Sequence, residues 1–325
     1  MKAPPRMRSR PVARNDLPEC FELLPPWLML DDATRRALPA LWDRLIDEPS
    51  LISAVIEDQA RPSGARIQAW GVTIALPLPL VHRLRLVDDP TPHVPRRVYA
   101  ALLDGSFTPM DDRALGEANA RGDLVLMVMH YAMRQRDLND PYVHAVLTTA
   151  NDAFRSLHAG LNPQALFYES VLSFEPMLTS AGFRVRPYAD PAPIAHLPPD
   201  LRPLLAGLTR AEAQASLPGT TARQVFDHYP PLFRLSATQR RLLRLALYID
   251  DDAAIMQSLG VSAHGLKKLW RGIYDRIDDA LPGFFGESTL EPEGKRGPEK
   301  RRQVLAYVRQ RAEELQPWSA SAAPL

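Results

Sequence analysis

The sequence predicts a mixed α+β N-terminal domain followed by an all-α C-terminal domain. Over residues 31–190, apolar segments rich in β-branched residues alternate with amphipathic helical patterns, which is typical of mixed α/β domains. From residue 235 onward only helical patterns occur. Residues 191–234 are rich in proline and are interpreted as a linker. Residues 1–30, with six prolines and no sustained periodicity, are interpreted as an irregular arm.

Composition limits the classes of function. The 325 residues suit two domains, and the 46% apolar share suffices for a sizeable core. Lys and Arg number 39 against 38 Asp and Glu, which excludes a histone-like polyanion binder. The single cysteine, Cys20, excludes an internal disulfide and a Cys-rich zinc site. With no signal-peptide pattern and no apolar run long enough to span a membrane, we expect a cytoplasmic protein.

The α+β domain is predicted element by element from its periodicity. Two β-branched segments separated by a Pro-Ser-Gly connection indicate an antiparallel pair, and a continuously apolar run indicates a buried central strand. The predicted strands are 51–57, 66–76, 123–131 and 183–188, and the predicted helices after the third strand are 141–158 and 163–180.

The C-terminal segment 235–281 has the layout of a helix-turn-helix. Ser236 can cap a first helix, a second helix from 253 is stopped by Gly260, and Ser262 can cap a third helix that runs to about residue 281. Its predicted core consists of Leu243, Ile255, Leu259, Val261, Leu266, Trp270 and Ile273. Residues 282–325 are predicted as a loop and one more helix.

The third of these helices has two distinct faces. At about 100° per residue, Leu266, Trp270 and Ile273 share one apolar stripe. His264, Lys268 and Arg271 lie opposite, with Lys267 at the flank. A narrow apolar stripe with a basic outer face is what insertion into a DNA major groove requires. A plain helical bundle that serves as a dimerisation or docking module remains the alternative.

These residues resemble the LuxR-type (GerE-like) helix-turn-helix of bacterial transcription regulators. The residues on that family's pattern are Leu235, Ser236, Leu243, Ile255, Leu259, Gly260, Val261, Ser262, Leu266, Lys267, Ile273 and Tyr274. The resemblance covers 47 residues. It implies that the protein binds double-stranded DNA as a homodimer, under a small-molecule or protein effector. The DNA-binding residues it implies are Ser262, His264, Lys267, Lys268 and Arg271.

A second resemblance lies in the N-terminal domain. The segment 61–66, Arg-Pro-Ser-Gly-Ala-Arg, resembles the phosphate-binding loop of GNAT acyltransferases, and Gly182-Phe183 resembles a helix-to-strand turn of that fold. In that family, backbone N–H groups at a helix start bind the acyl-CoA pyrophosphate. The segment after residue 66 is predicted as a strand, so an ordinary hairpin turn is the alternative for 61–66.

No catalytic residue, metal site or cofactor is predicted. The serines lack a nucleophile elbow, and the chain has neither a P-loop nor a GxGxxG motif. His130, at the end of an apolar strand, is predicted to be a hydrogen-bonded core residue. The first hypothesis is therefore a DNA-binding transcriptional regulator. The alternatives are a GNAT-like acyltransferase whose C-terminal helices form a docking module, and a non-catalytic interaction protein.

Overall fold

A computed structural model describes residues 5–286 and 293–319, without the side chains of residues 293–296. One seven-stranded sheet organises the N-terminal two-thirds of the chain, in the order β1-β2-β3-β4-β5-β7-β6. The strands are β1 Met7–Pro11, β2 Leu51–Asp58, β3 Ile67–Leu76, β4 Leu124–Met133, β5 Pro163–Val171, β6 Arg184–Arg186 and β7 Pro203–Thr209. The predicted mixed α/β character of this part of the chain is confirmed.

The pairing in this sheet is antiparallel except at its centre, where β4 runs parallel to β5. A parallel pair needs a long crossover, and the helix between the two strands supplies it. The strands β4 and β5 are buried on both faces, which explains the continuously apolar sequence of β4.

Helices cover both faces of the sheet. The front face packs against α1 Leu17–Glu22, α2 Asp32–Leu45, α3 Leu78–Arg83 and α4 Val94–Leu103. The back face packs against α5 Asp112–Arg121, α6 Pro141–His158, α7 Glu175–Ser180, α8 Arg210–Gln214 and α9 Thr221–Gln224. Front-face residues include Trp70 and Met127, and back-face residues include Leu126 and Leu166, so each strand contributes to both cores.

Three regions differ from the sequence-based expectations. The N-terminal arm supplies the edge strand β1 and helix α1, with the buried Trp27 docking it on the front face. The supposed proline-rich linker contains β7, which lies inside the sheet between β5 and β6. Residues 163–171, predicted as the start of a helix, form β5. In each case pairing with strands distant in the chain overrides the local pattern.

The C-terminal region is helical in its described residues. Its helices are α10 Ala237–Ala246, α11 Asp252–Leu259, α12 Ala263–Ala280 and α13 Glu293–Gln310, followed by a short 3₁₀ turn, Ala312–Leu315. Ser236, Asp251 and Ser262 cap the first three of these helices. Residues 287–292 and 320–325, which belong to the predicted final loop and helix, lie outside the described residues.

The C-terminal helices are joined to the back of the sheet by a polar seam. The Gln316 side-chain amide donates to the carbonyls of Leu157 and Ala159 at 3.1 and 2.9 Å. The buried guanidinium of Arg240 binds Asp112 of α5. We call these contacts the seam, and we include in it the hydrogen bonds by which Glu314 holds residues 232 and 233, just before α10.

Candidate functional site

The strands β4 and β5 separate part of the way along their length. They pair from Leu124 with Pro163 as far as Val128 with Tyr168. Beyond that point β4 continues on β3, and β5 continues on β7, but the two strands no longer pair with each other. We call the open inner edges, residues 129–133 of β4 and 169–171 of β5, the fork. It lies at the carboxyl ends of two parallel strands, where ligands commonly bind in α/β sheets.

A β-bulge lies where the fork begins. Val128 pairs with Thr73 and His130 with Val72, which leaves Met129 as an extra residue in β4. A bulge bends its strand, so it directs β4 away from β5. It also breaks the alternation of side chains, so that Met129 and His130 both lie on the front face.

Glu169 is the first residue of β5 inside the fork, and it is fully buried. Its Oε1 accepts a hydrogen bond of 2.6 Å from the Tyr188 hydroxyl, whereas its Oε2 has no partner among the described residues. Burial raises the pKa of Glu169 to about 7, against the opposing effects of the Tyr188 hydrogen bond, of the backbone N–H groups of His93 and Val94, and of the charge of Arg97. A carboxyl group with such a pKa can exchange a proton near neutral pH.

His130 is the second residue of β4 inside the fork, and it is also fully buried. Its ring stands edge-on to Trp70 with centroids 4.5 Å apart, and neither ring nitrogen has a hydrogen-bond partner among the described residues. Burial lowers its pKa to about 3, so the ring is neutral at physiological pH. The sequence correctly indicated a core histidine, but the hydrogen bonds expected for it are absent from the described part of the chain.

The fork contains a narrow cleft with about 10 Å³ of free volume, room for a single water molecule. Aromatic, sulfur-containing and polar side chains fill the rest of the space. The cleft is lined by Trp27, Tyr131, Met133, Arg136, Tyr168, Ser170, Phe174 and Met177. The buried hydroxyl of Tyr131 has no hydrogen-bond partner among the described residues. The lining is therefore mainly apolar, its polar groups are those of Tyr131, Arg136, Tyr168 and Ser170, and it does not include Glu169 or His130.

The residues implied in DNA binding lie far along the chain from the fork, on α12. His264, Lys267, Lys268 and Arg271 are exposed, and Ser262 caps the helix by accepting from the Gly265 N–H at 3.2 Å. The residues of the predicted helix-turn-helix core that are buried are Leu243, Ile255, Leu266, Trp270 and Ile273, whereas Leu259 and Val261 are half-buried. Helix α13 covers this core, with Arg301 stacked on Trp270 at 4.8 Å and paired with Asp252.

The segment 61–66 connects β2 to β3 in a hairpin. Gly64 adopts a left-handed φ of 83°, which glycine tolerates without strain. No helix follows the turn, so residues 61–66 cannot form the GNAT-type phosphate loop, and the hairpin alternative is confirmed. Gly182, with a φ of 96°, does lie between α7 and β6, at the predicted helix-to-strand turn.

Two solved structures that are similar to part of this chain are named as acyltransferases. No family model and no curated protein matches this chain. Among solved structures, a point mutant of the spermidine N-acetyltransferase SpeG from Vibrio cholerae matches with a TM-score of 0.37 and 9% identity, covering 62% of this chain and 93% of its own. FeeM, an N-acyl amino acid synthase from uncultured soil microbes, matches with a TM-score of 0.34 and 15% identity, covering 65% and 98%. No substrate or residue role follows from matches at this level.

The prediction of a LuxR-type DNA-binding transcription regulator is wrong. The structures found are named as acyltransferases and not as transcription regulators, which agrees better with the alternative hypothesis of an acyltransferase. The helices α10 to α12 are present, but a basic face on one helix occurs on many proteins and does not establish DNA binding. Contacts with DNA through Ser262, His264, Lys267, Lys268 and Arg271, the homodimer and the effector remain untested predictions.

The sequence does not predict the residues of the fork. The helix predicted over 163–180 includes Glu169, and the one local signal for this residue is a charge within the apolar run 165–171. The parallel pairing of β4 with β5 has no local signal, because the strands are 29 residues apart from the end of one to the start of the other. Among the described residues, no group of three candidate metal ligands and no helix long and apolar enough to cross a bilayer occurs.

Proposed function

We propose that this protein is a GNAT-like acyltransferase that moves an acyl group from a thioester to an amine at the β4–β5 fork. The observation that carries the proposal is the separation of two central parallel strands beyond Val128 and Tyr168. Inside a sheet, such a separation costs interstrand hydrogen bonds, and a site that binds a ligand compensates for that cost.

The open edges suit an extended ligand that contains amide groups. The backbone of each strand beyond the separation is paired on its outer side only. A ligand with its own N–H and C=O groups can join such an edge as an added strand does. The pantetheine arm that carries acyl thioesters has two amides in an extended chain, so it matches the fork in both shape and hydrogen bonding.

Glu169 supplies the base in this proposal. A buried carboxylate with one free oxygen favours a nearby ammonium group, and it accepts a proton from that group. The neutral amine nitrogen attacks the thioester carbonyl carbon, a C–N bond forms, and the C–S bond breaks. The thiolate that leaves takes up the proton that Glu169 holds. The nitrogen, which becomes an amide, gives its remaining extra proton to the Glu169 carboxylate, which releases it to solvent. Tyr188 holds the carboxyl group in place through its hydrogen bond.

Entry of the acyl group requires the side chains of the cleft to move. Trp27, Phe174 and Met177 line the cleft, and its free volume is too small for an acyl group. Trp27 is carried on a short 3₁₀ turn, Pro26–Leu28, that follows α1 and is separate from the sheet. Movement of this turn would open the front of the fork without breaking strand pairs, and it would expose apolar side chains that suit an acyl chain.

The test measures thiol release from a set of acyl-pantetheine thioesters in the presence of amines of different sizes. We expect Glu169→Gln to lower turnover by about 100-fold or more, within the usual contribution of a general base. Glu117→Gln, at a half-buried position of α5 that pairs with Arg113, is the matched control and should retain full turnover. Thiol release by the wild type with no amine-dependent component would refute the proposal, as would full turnover in Glu169→Gln.

A further inference from the structure

Helix α6 begins at the mouth of the fork. The strand β4 ends at Met133, residues 134–140 follow, and α6 starts at Pro141. Arg136 from this connection lines the cleft. An acyl-pantetheine arm lying in the fork would place its outer end here. A diphosphate at that end would need free backbone N–H groups at the helix start, as anion sites of this kind provide.

The start of α6 offers almost no free donor. Pro141 has no N–H, and the N–H of Tyr142 donates to Asp140 Oδ1 at 2.8 Å. The third residue of the helix, Val143, is only 1% exposed. The helix terminus is therefore already capped by a carboxylate of its own chain.

The charges at this end also oppose a diphosphate. Asp137 and Asp140 precede the helix, and the Tyr142 hydroxyl donates to the buried Asp58 at 3.0 Å. A diphosphate placed here would be repelled by these carboxylates.

Two of the nearby arginines are already paired. Arg134 binds Glu19 at 2.9 Å, and the Arg61 guanidinium donates to the Tyr142 hydroxyl at 2.9 Å. Arg136 is exposed and has no hydrogen bond or ion pair among the described residues. One unpaired guanidinium suits a single phosphate contact better than a diphosphate.

We infer that the acyl donor is a pantetheine thioester whose adenosine diphosphate end, where one exists, is not bound by this protein. This inference rests on the proposed function, and it differs from what the GNAT resemblance implies for acyl-CoA. In this inference the protein binds the pantetheine arm and the acyl group. A small thioester and a thioester on a carrier protein both contain these two parts, so both can serve as acyl donors.

The experiment compares the same acyl group on pantetheine, on CoA and on an acyl carrier protein. We expect kcat/KM for the pantetheine and CoA thioesters to agree within about threefold. A kcat/KM at least tenfold higher for the carrier-protein thioester would identify a carrier protein as the source of the pantetheine arm. Equal kcat/KM values for the three donors would identify a small thioester. Both results agree with the inference. A tenfold preference for acyl-CoA over acyl-pantetheine would overturn it.

Binding separates this inference from the proposed function. In calorimetric titrations, CoA should bind no more than threefold more tightly than pantetheine, and 3′,5′-ADP should not compete with either. Tight binding of CoA with competition by 3′,5′-ADP would overturn the inference and leave an acyltransferase possible. Absence of binding and of turnover with all three donors would overturn both.

A substitution at the start of α6 should strengthen the binding of CoA. Asp140→Gly removes the carboxylate and frees the Tyr142 N–H, so CoA should then bind about tenfold more tightly than pantetheine. Asp152→Gly, an exposed aspartate further along α6 that pairs with Arg155, is the control and should leave the ratio unchanged. A CoA-to-pantetheine ratio that does not change in Asp140→Gly would contradict the role assigned to the capped helix start.

Discussion

The fork and the seam differ in whether their buried polar groups have hydrogen-bond partners. In the seam, the Glu314 carboxylate accepts from the backbone N–H groups of Leu232 and Phe233 at 3.1 and 2.9 Å. In the fork, Glu169 Oε2 and both ring nitrogens of His130 have no partner among the described residues. Satisfied polar groups stabilise a fold, whereas unsatisfied ones cost free energy and persist where they have another use. The difference agrees with a structural role for the seam and with the functional role proposed for the fork.

The largest expected effect on stability is in the seam. Glu314→Ala leaves the buried N–H of Phe233 and the partly buried N–H of Leu232 without an acceptor, so the free energy of unfolding should fall by about 2–5 kcal/mol. Urea unfolding followed by circular dichroism measures it. Glu299→Ala, which removes an exposed ion pair with Arg302, should change this free energy by about 0.5 kcal/mol or less. Equal effects of the two substitutions would remove the structural role given to the seam.

The second effect is the pH dependence caused by Glu169. Its folded-state pKa of about 7 lies above the ordinary value of 4.5, so between these pH values the folded protein binds the proton and the unfolded chain does not. The free energy of unfolding therefore falls by about 3 kcal/mol as the pH rises from 4.5 through 7. Glu169→Gln should lack this decrease, and unfolding curves at pH 4.5 and 8 measure the difference. Parallel pH profiles in the two proteins would mean that the carboxyl group is not buried.

The third effect concerns His130. His130→Leu replaces two unpartnered buried nitrogens with apolar atoms, so the protein should gain about 1–2 kcal/mol in the free energy of unfolding. Turnover should fall in the same variant if the ring faces the substrate, and thermal unfolding and thiol release are measured on one preparation. A loss of stability would indicate that the ring nitrogens are satisfied and would weaken the contrast with the seam.

The smallest effect is expected at the mouth of the fork. Arg136→Ala removes an exposed side chain without a partner among the described residues, so stability should change by about 0.5 kcal/mol or less. The KM for a phosphopantetheine thioester should rise about two- to threefold, and the KM for an unphosphorylated pantetheine thioester should not change. Steady-state kinetics with both donors measures this, and an equal rise for both donors would exclude a phosphate contact at Arg136.

Local patterns predicted the elements whose stability is local. The third C-terminal helix was expected to begin after Ser262 and end near residue 281, and α12 spans Ala263–Ala280. The strands β2 and β3 were placed to within a residue or two, because their hairpin is a local feature. The cap, the turn and the apolar stripe are all determined by residues close together in the sequence, so they can be predicted without knowledge of distant contacts.

The candidate site could not be predicted in this way. Residues 163–171 have an apolar content that suits either a helix or a buried strand, and their pairing with β4 and β7 decides between the two. Glu169 gains its unusual pKa only from that burial. The sequence correctly predicts that the basic face of α12 lies on the surface. The prediction of DNA binding drawn from this face is wrong, because surface charge alone does not identify a ligand.

The extra residue in β4 also constrains how this chain can vary. Val128 and His130 lie on opposite faces of the sheet and pair with the adjacent residues Thr73 and Val72, so deleting Met129 would leave every later side chain on its present face. The deletion would instead remove the bulge and the bend that it gives β4. A homologue without this residue should therefore keep the pattern of residues 130–133 but lose the opening between β4 and β5.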